Sequence, residues 1–231
     1  MDWTRSIDAY CERTSAAFRA EPVNALTNLA FVLAAVWAWR RTAGDPGLRL
    51  LAGVLGAIGV GSFLFHTVAT PWASLADTLP ILIFVLIYLY LSNRRYLRWP
   101  VLWAALGTAA FVPYAAALGP LFGALPVFRI SAVYWVLPVL IGGYAAWMWR
   151  RAPGTGRGLA AGAGLLSVSL LARSADGAVC GALPVGTHFL WHCLNAVMLA
   201  WMIEVMRRHG EGTRDGTGRR GTGVAGGGGL A

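Results

Sequence analysis

Three histidines in the sequence have the type and spacing of metal ligands. His188 and His192 are four residues apart, so on a helix both imidazoles lie on one face, about one turn apart. His66, in a separate apolar segment, would be the third ligand. Three histidines leave the fourth tetrahedral position of zinc open, as catalytic zinc sites do. The alternative is a set of interhelical hydrogen bonds or a proton relay without metal.

Two further polar residues, Ser62 and Asp77, lie near His66 in the sequence and could take part in chemistry at the same site. Ser62 lies one turn before His66 on the same helical face, where its hydroxyl could bond a substrate carbonyl or the oxyanion formed from it. The alternative is a serine bonded back to its own helix. Asp77 starts the next apolar segment and could act as general base or orient a histidine, although an aspartate there could also cap the helix.

Oxygen-bearing side chains are concentrated near the N-terminus. This segment contains Asp8, Tyr10, Glu12 and Glu21. Such a set suits a hard cation, so these residues are the candidate ligands of a calcium ion. The alternative is an acidic segment at the membrane interface with no metal, which the pattern alone favours.

The composition determines how these residues must be positioned. The chain of 231 residues is 57% hydrophobic and 13% charged, against about 25% charged in an average soluble domain. Its mean hydropathy is +0.59. We therefore predict an all-α integral membrane protein with seven transmembrane helices and no separate soluble domain. The seven apolar runs cover residues 24–39, 48–68, 75–91, 99–118, 130–149, 159–172 and 187–206.

The arginines predict the orientation of these helices. Fourteen of the 19 basic residues, all of them arginines, follow the first, third, fifth and seventh runs, and five lie on the opposite side. Because cytoplasmic loops accumulate basic residues, the N-terminus is predicted outside and the C-terminus in the cytoplasm. The net charge of +9 is then a topology signal and not a sign of nucleic-acid binding. His66, Asp77 and the His188–His192 pair share one depth near the outer side.

The chain divides into three predicted parts. Residues 1–23 form an extramembrane N-terminal segment without the features of a cleavable signal peptide, and residues 24–208 form the membrane domain. Residues 209–231, rich in Gly, Arg and Thr, are predicted to be a disordered cytoplasmic tail. The absence of lysine and the abundance of Ala, Gly and Arg suggest a bacterial genome, and hence the bacterial inner membrane.

The combined spacing resembles a known family, the alkaline ceramidases, which share a superfamily with the progestin and adipoQ receptors. The resemblance is carried by Ser62-x3-His66, by Asp77 and by His188-x3-His192. Tyr10-Cys11-Glu12 and the run at residues 21–29 also resemble the start of that family. The resemblance implies zinc-dependent hydrolysis of a linear amide, in ceramide or another N-acyl lipid of the membrane, to a sphingoid base or other amine and a fatty acid.

The resemblance also implies roles for single residues. The three histidines would bind zinc. Asp77 would transfer the proton of water, and Ser62 would hydrogen-bond the substrate carbonyl. The family's calcium site would fall on the acidic N-terminal residues, and its disulfide on Cys11 and Cys180. This chain departs from the family pattern in that Ala9 stands where an aspartate is usual and Thr14 where an asparagine is usual.

An alternative within the same superfamily is a seven-span zinc-binding lipid receptor or sensor without robust hydrolysis. Such a protein needs a pocket but no proton acceptor beside the metal. Ser62 and Asp77 are the residues that favour the enzyme.

Overall fold

The structure is a computed structural model that describes residues 2–218, with side chains up to residue 212. All regular elements within this part of the chain are helices, and a short 3-10 turn at Arg129–Ser131 precedes α7. The α-helices are α1 (Pro22–Thr27), α2 (Leu29–Arg41), α3 (Pro46–Val68), α4 (Pro71–Arg95), α5 (Val101–Ala109), α6 (Phe111–Gly123), α7 (Ala132–Trp149), α8 (Pro153–Val179) and α9 (His188–Gly218).

These helices form seven segments that are long and apolar enough to cross a membrane, which confirms the predicted fold class. Two of the segments are interrupted by a single non-helical residue, since α1 and α2 meet at Asn28 and α5 and α6 meet at Ala110. Many large apolar side chains on the outside of the bundle, such as Leu26, Val112 and Val133, are exposed and suit contact with lipid. Because the number of crossings is odd, the start of the first segment and the end of the last segment lie on opposite sides of a membrane.

Several helices are longer than the apolar runs that predicted them. The third segment extends from Pro71 to Arg95, because proline suits the first helical turn and the arginines of the last turn favour its carbonyl end. The sixth segment, α8, is longer than residues 159–172 at both ends. The last helix continues to Gly218, into the segment predicted as a tail, and residues 219–231 lie outside the described part of the chain.

Helix α3 has eleven buried residues and contacts α2, α4 and α9. At its crossing with α4, a Cβ atom on Gly61 would overlap the carbonyl of Ala76. The two backbones therefore approach each other at a position that only glycine permits. This close approach places Ser62, the next residue of α3, beside Asp77, the next residue of α4.

We expect Gly61→Ala to destabilise the bundle, because the new methyl group overlaps backbone that cannot rotate away. Overpacking of this kind costs about 1–3 kcal/mol. Gly56→Ala on the same helix is the matched control, since its Cβ would meet Ala35 at an ordinary 3.6 Å. Thermal unfolding in detergent should show a lower midpoint for Gly61→Ala and an unchanged one for Gly56→Ala. Equal midpoints for the two variants would contradict the close crossing.

Candidate metal centre

The end of α3 and the start of α9 bring three histidines together. One ligand atom from each of His66, His188 and His192 lies within 4.8 Å of the others. The three residues are 1%, 2% and 0% exposed, respectively. Their ring centroids are separated by 4.7 to 5.1 Å. The four-residue spacing on α9 and the position of His66 on another helix thus give one buried cluster.

Each of the three rings has one buried nitrogen without a hydrogen-bond partner among the described residues. These atoms are Nε2 of His66, Nδ1 of His188 and Nε2 of His192. A buried polar atom without a partner is costly, and such atoms are few in folded proteins. One metal ion could satisfy all three of them, and imidazole nitrogen is a preferred ligand of zinc. The residues therefore fit a zinc ion.

Hydrogen bonds on the opposite ring nitrogens orient two of these histidines. Nδ1 of His192 lies 2.9 Å from the Thr27 hydroxyl, and that hydroxyl is also within 2.9 Å of the carbonyl oxygen of Val23. Because the threonine proton goes to the carbonyl, the hydroxyl oxygen accepts from His192. The lone pair of His192 is then on Nε2, which faces the cluster.

His66 is oriented by a carboxylate. Its Nδ1 donates to Oε2 of Glu21 across 2.6 Å, which leaves the lone pair on Nε2. Glu21 is 2% exposed and also bonds to Arg13 and to Asn24. Burial acts to raise the pKa of Glu21, but the hydrogen bonds from His66 and Arg13 and the charge of Arg13 outweigh it and hold the pKa below its usual value. Glu21 therefore accepts hydrogen bonds as a carboxylate.

Ser62 and Asp77 lie beside the histidine cluster. The Ser62 hydroxyl and the Asp77 carboxyl group lie near each other, and His66 and Arg173 are the other polar groups close to Asp77. Ser62 is 3% exposed, whereas Asp77 is half-buried. Asp77 is not a helix cap, because α4 begins at Pro71. Both candidate catalytic residues thus face the same site from neighbouring helices.

The acidic residues predicted to bind calcium have separate partners. Asp8 is exposed, and the two oxygens of Glu12 accept the backbone N–H groups of Val23 and Asn24 at 2.7 and 2.8 Å. Glu21 faces the histidine cluster instead. In the described part of the chain, His, Cys, Asp and Glu residues form only one group of three with metal-site spacing, the histidine cluster. Calcium binding stays a prediction.

Tyr10, the remaining candidate calcium ligand, packs on the histidine cluster. Its ring stacks on His188 with centroids 3.6 Å apart, and its hydroxyl accepts from Arg173 across 3.2 Å. Burial raises the pKa of Tyr10 even though the Arg173 charge opposes this. The N-terminal segment therefore covers the cluster with a neutral aromatic side chain.

Cys11 and Cys180 are joined by a disulfide, with their Cα atoms 5.3 Å apart. Beside the disulfide, the Asp176 carboxylate accepts three backbone N–H groups. One oxygen bonds Thr187 and His188 at 2.7 and 2.9 Å, and the other bonds Cys11 at 2.9 Å. Asp176 thus fixes the start of α9, and with it the candidate ligand His188, against the N-terminal segment.

Sequence reasoning missed several residues that support the cluster. The sequence alone assigns no role in the site to Thr27 or Asp176. Arg13 enters the prediction only through the arginine count, and Glu21 is predicted to bind calcium. Asp176 carried a usable signal, because an ionisable residue at the end of an apolar segment is costly unless it has partners. Thr27 and Arg13 carried no such signal, since tertiary packing decides which groups they contact.

The fold and the site define a seven-helix membrane protein with a buried three-histidine centre beside a serine and an aspartate. A family model described as Ceramidase matches residues 4–153, which is more than half of the chain. The chain therefore belongs to the ceramidase family, as its motifs indicated. The match includes Ser62, His66 and Asp77, whereas His188 and His192 follow it. No curated protein matches the chain.

We expect Asp176→Ala to lower stability, because three backbone N–H groups lose their acceptor in a buried place. The loss should be at least about 2 kcal/mol. Asp176→Asn keeps one carboxamide oxygen for Thr187 and His188, so its loss should be smaller. Asp8→Ala, which alters an exposed carboxylate, is the control. In calcium-free detergent, the melting midpoint should be highest for Asp8→Ala, lower for Asp176→Asn and lowest for Asp176→Ala. A midpoint for Asp176→Ala equal to that of Asp8→Ala would refute the role of Asp176.

Proposed function

We propose that this protein is an intramembrane zinc-dependent amide hydrolase of the alkaline ceramidase type. It cleaves ceramide or a related N-acyl lipid into a sphingoid base or other amine and a free fatty acid. The observation that carries the proposal is the set of three unpaired ring nitrogens beside Ser62 and Asp77, in a member of the ceramidase family.

The three histidines would hold the zinc ion through those nitrogens. With three neutral imidazoles as ligands, a coordination position would stay open for a reactant. When bound, zinc would polarise the amide carbonyl and make water more acidic. Glu21 and Thr27 support the site by fixing which nitrogen of His66 and of His192 carries the proton.

Asp77 and Ser62 carry out the proton transfer and the carbonyl contact. The Asp77 carboxylate takes a proton from the attacking water and returns it to the amide nitrogen as the carbon–nitrogen bond breaks. The Ser62 hydroxyl donates to the carbonyl oxygen, on which negative charge develops when water adds to the carbon. Their approach at the α3–α4 crossing lets one substrate amide contact both side chains.

The surroundings of the site favour a lipid substrate. A narrow apolar cavity of ≈ 70 Å³ lies between α4, α7, α8 and α9, and its lining includes Phe84, Tyr88 and Met198. Phe84 is seven residues after Asp77, and Met198 is six residues after His192. At 1.5 Å per residue, the cavity begins about 10 Å along the bundle from the site. The apolar end of an acyl chain would enter it while the amide stays at the histidines.

We propose that this end of the bundle faces the outside of a bacterial inner membrane. The arginine distribution supports that orientation. The disulfide between Cys11 and Cys180 supports it as well, because disulfides persist in oxidising compartments. A zinc-binding lipid receptor would share the histidines, but the Asp77 carboxylate beside them favours hydrolysis.

Metal content and fatty-acid release, measured on the same detergent-purified samples, test the proposal. We expect stoichiometric zinc and ceramide hydrolysis in the wild type, and neither in His192→Ala. His209→Ala is the matched control, because His209 bonds Thr155 at the other end of the bundle. Asp77→Asn should keep its zinc and lose about 10²–10⁴-fold in rate, as expected for a general base.

Two results would contradict the proposal. Hydrolysis by Asp77→Asn at the wild-type rate would remove Asp77 from the mechanism. A wild type that binds zinc but releases no fatty acid from ceramide or from other N-acyl lipids would favour the receptor.

A further inference from the structure

We propose that Arg13 is the built-in cation of the N-terminal segment, and that it holds Glu21 on His66 so that zinc is retained without calcium. The proposal deepens the proposed function, because it rests on His66 being a zinc ligand. It opposes the prediction that Asp8, Tyr10, Glu12 and Glu21 bind a calcium ion.

The Arg13 guanidinium is enclosed, and each of its three nitrogens makes a hydrogen bond. Arg13 is 4% exposed, which is unusual for an arginine without a buried partner. Its Nε bonds Oε1 of Glu21, and its two terminal nitrogens donate to the carbonyl oxygens of Ser15 and His66, each at 3.1 Å. Arg13 therefore contacts the carboxylate that orients a ligand and the main chain of that same ligand.

A buried carboxylate needs a counter-charge, and Arg13 supplies it to Glu21. Removing an ion from water costs several kcal/mol unless an opposite charge and hydrogen bonds replace the water. One Glu21 oxygen is bonded by Arg13, and the other by His66 and Asn24 at 2.6 and 3.1 Å. Both oxygens are thus occupied, and no second cation is needed to neutralise the group.

The rest of the segment offers little to a calcium ion. Calcium takes about 6–8 oxygen ligands. Both oxygens of Glu12 already accept backbone N–H groups at the start of α1. Ala9 has no side-chain oxygen, and Thr14 and Asp8 are exposed. A divalent ion beside Glu21 would also be repelled by the Arg13 guanidinium.

The same contacts make Arg13 a positioning residue for the histidine cluster. Arg13 fixes the Glu21 carboxylate, the carboxylate accepts from Nδ1 of His66, and Nε2 of His66 is thereby left to bind metal. Without the guanidinium, Glu21 would be a buried charge without its counter-charge, and its hold on the imidazole would weaken. Loss of such supporting partners typically reduces metal affinity by about 10–100-fold.

A calcium titration of the wild type tests the first half of the proposal. Protein freed of metal and reloaded with zinc is titrated with calcium chloride by calorimetry, and its melting midpoint is measured with and without calcium. A site whose Kd lies a hundredfold below the calcium concentration would add about 2.7 kcal/mol of stability. We expect no saturable heat and no shift in the midpoint. Saturable binding that raises the midpoint would overturn the proposal.

Zinc affinity of Arg13 variants, measured by competition with a chromophoric chelator, tests the second half. Arg13→Ala should bind zinc about 10–100-fold more weakly than the wild type. Arg13→Lys should recover part of this loss, because it restores the charge but not the planar fork. Millimolar guanidinium should improve zinc binding by Arg13→Ala and leave the wild type unchanged. Arg19→Ala, an exposed arginine of the same segment, is the control.

Wild-type zinc affinity in Arg13→Ala would overturn the positioning role. If Arg13→Ala does not fold, Arg13→Lys and the calcium titration of the wild type decide. A wild type that reaches its full zinc affinity only in the presence of added calcium would contradict the proposal. All these readouts measure metal binding. If the protein binds zinc but cleaves no lipid, the proposed hydrolysis is wrong. The zinc and calcium measurements still decide the role of Arg13.

Discussion

The Glu21 carboxylate, buried between Arg13 and His66, is the interaction on which the rest of the site depends. It lies in the N-terminal segment, directly before α1. One of its oxygens bonds Arg13 of the same segment, and the other bonds His66 of α3. A polar centre inside an apolar bundle has no water to satisfy its groups, so each must find a partner in the protein. The Glu21 carboxylate is the hydrogen-bond partner of both Arg13 and Nδ1 of His66, a candidate metal ligand.

A second carboxylate, that of Asp176, performs the corresponding task for the last helix. It accepts N–H groups from the N-terminal segment and from the start of α9, and the neighbouring disulfide joins positions 169 residues apart. A Cβ on Gly186 would overlap this carboxylate, and the residue has a φ of +68°, a conformation that glycine adopts readily. The histidines of α3 and α9 are therefore held by two carboxylates, one for each helix.

The sequence predicted the parts of this arrangement that depend on periodicity. Hydropathy predicted the seven helices, and helix geometry placed His188 and His192 on one face. The predicted topology placed His66 at the same depth. Asp77 was placed at the start of its helix, but α4 begins six residues earlier, at Pro71, since the apolar run underestimated the helix.

Contacts that depend on tertiary packing could not be read from the sequence. An oxygen-rich segment looks like a cation site whether or not its oxygens are already occupied. Only the structure shows that Glu12 caps α1 and that Glu21 pairs with Arg13. Likewise, the glycine at position 61 reveals its importance only when the carbonyl of Ala76 is seen beside it.

X-ray absorption spectroscopy at the zinc edge, on protein purified in detergent without added metal, tests the central claim most directly. The account predicts bound zinc with a first coordination shell of nitrogen and oxygen only, and with the outer-shell scattering that imidazole rings produce. That scattering should diminish in His66→Ala. Zinc absent from the purified protein, or zinc with a sulfur ligand such as Cys193, which adjoins His192, would contradict the three-histidine centre.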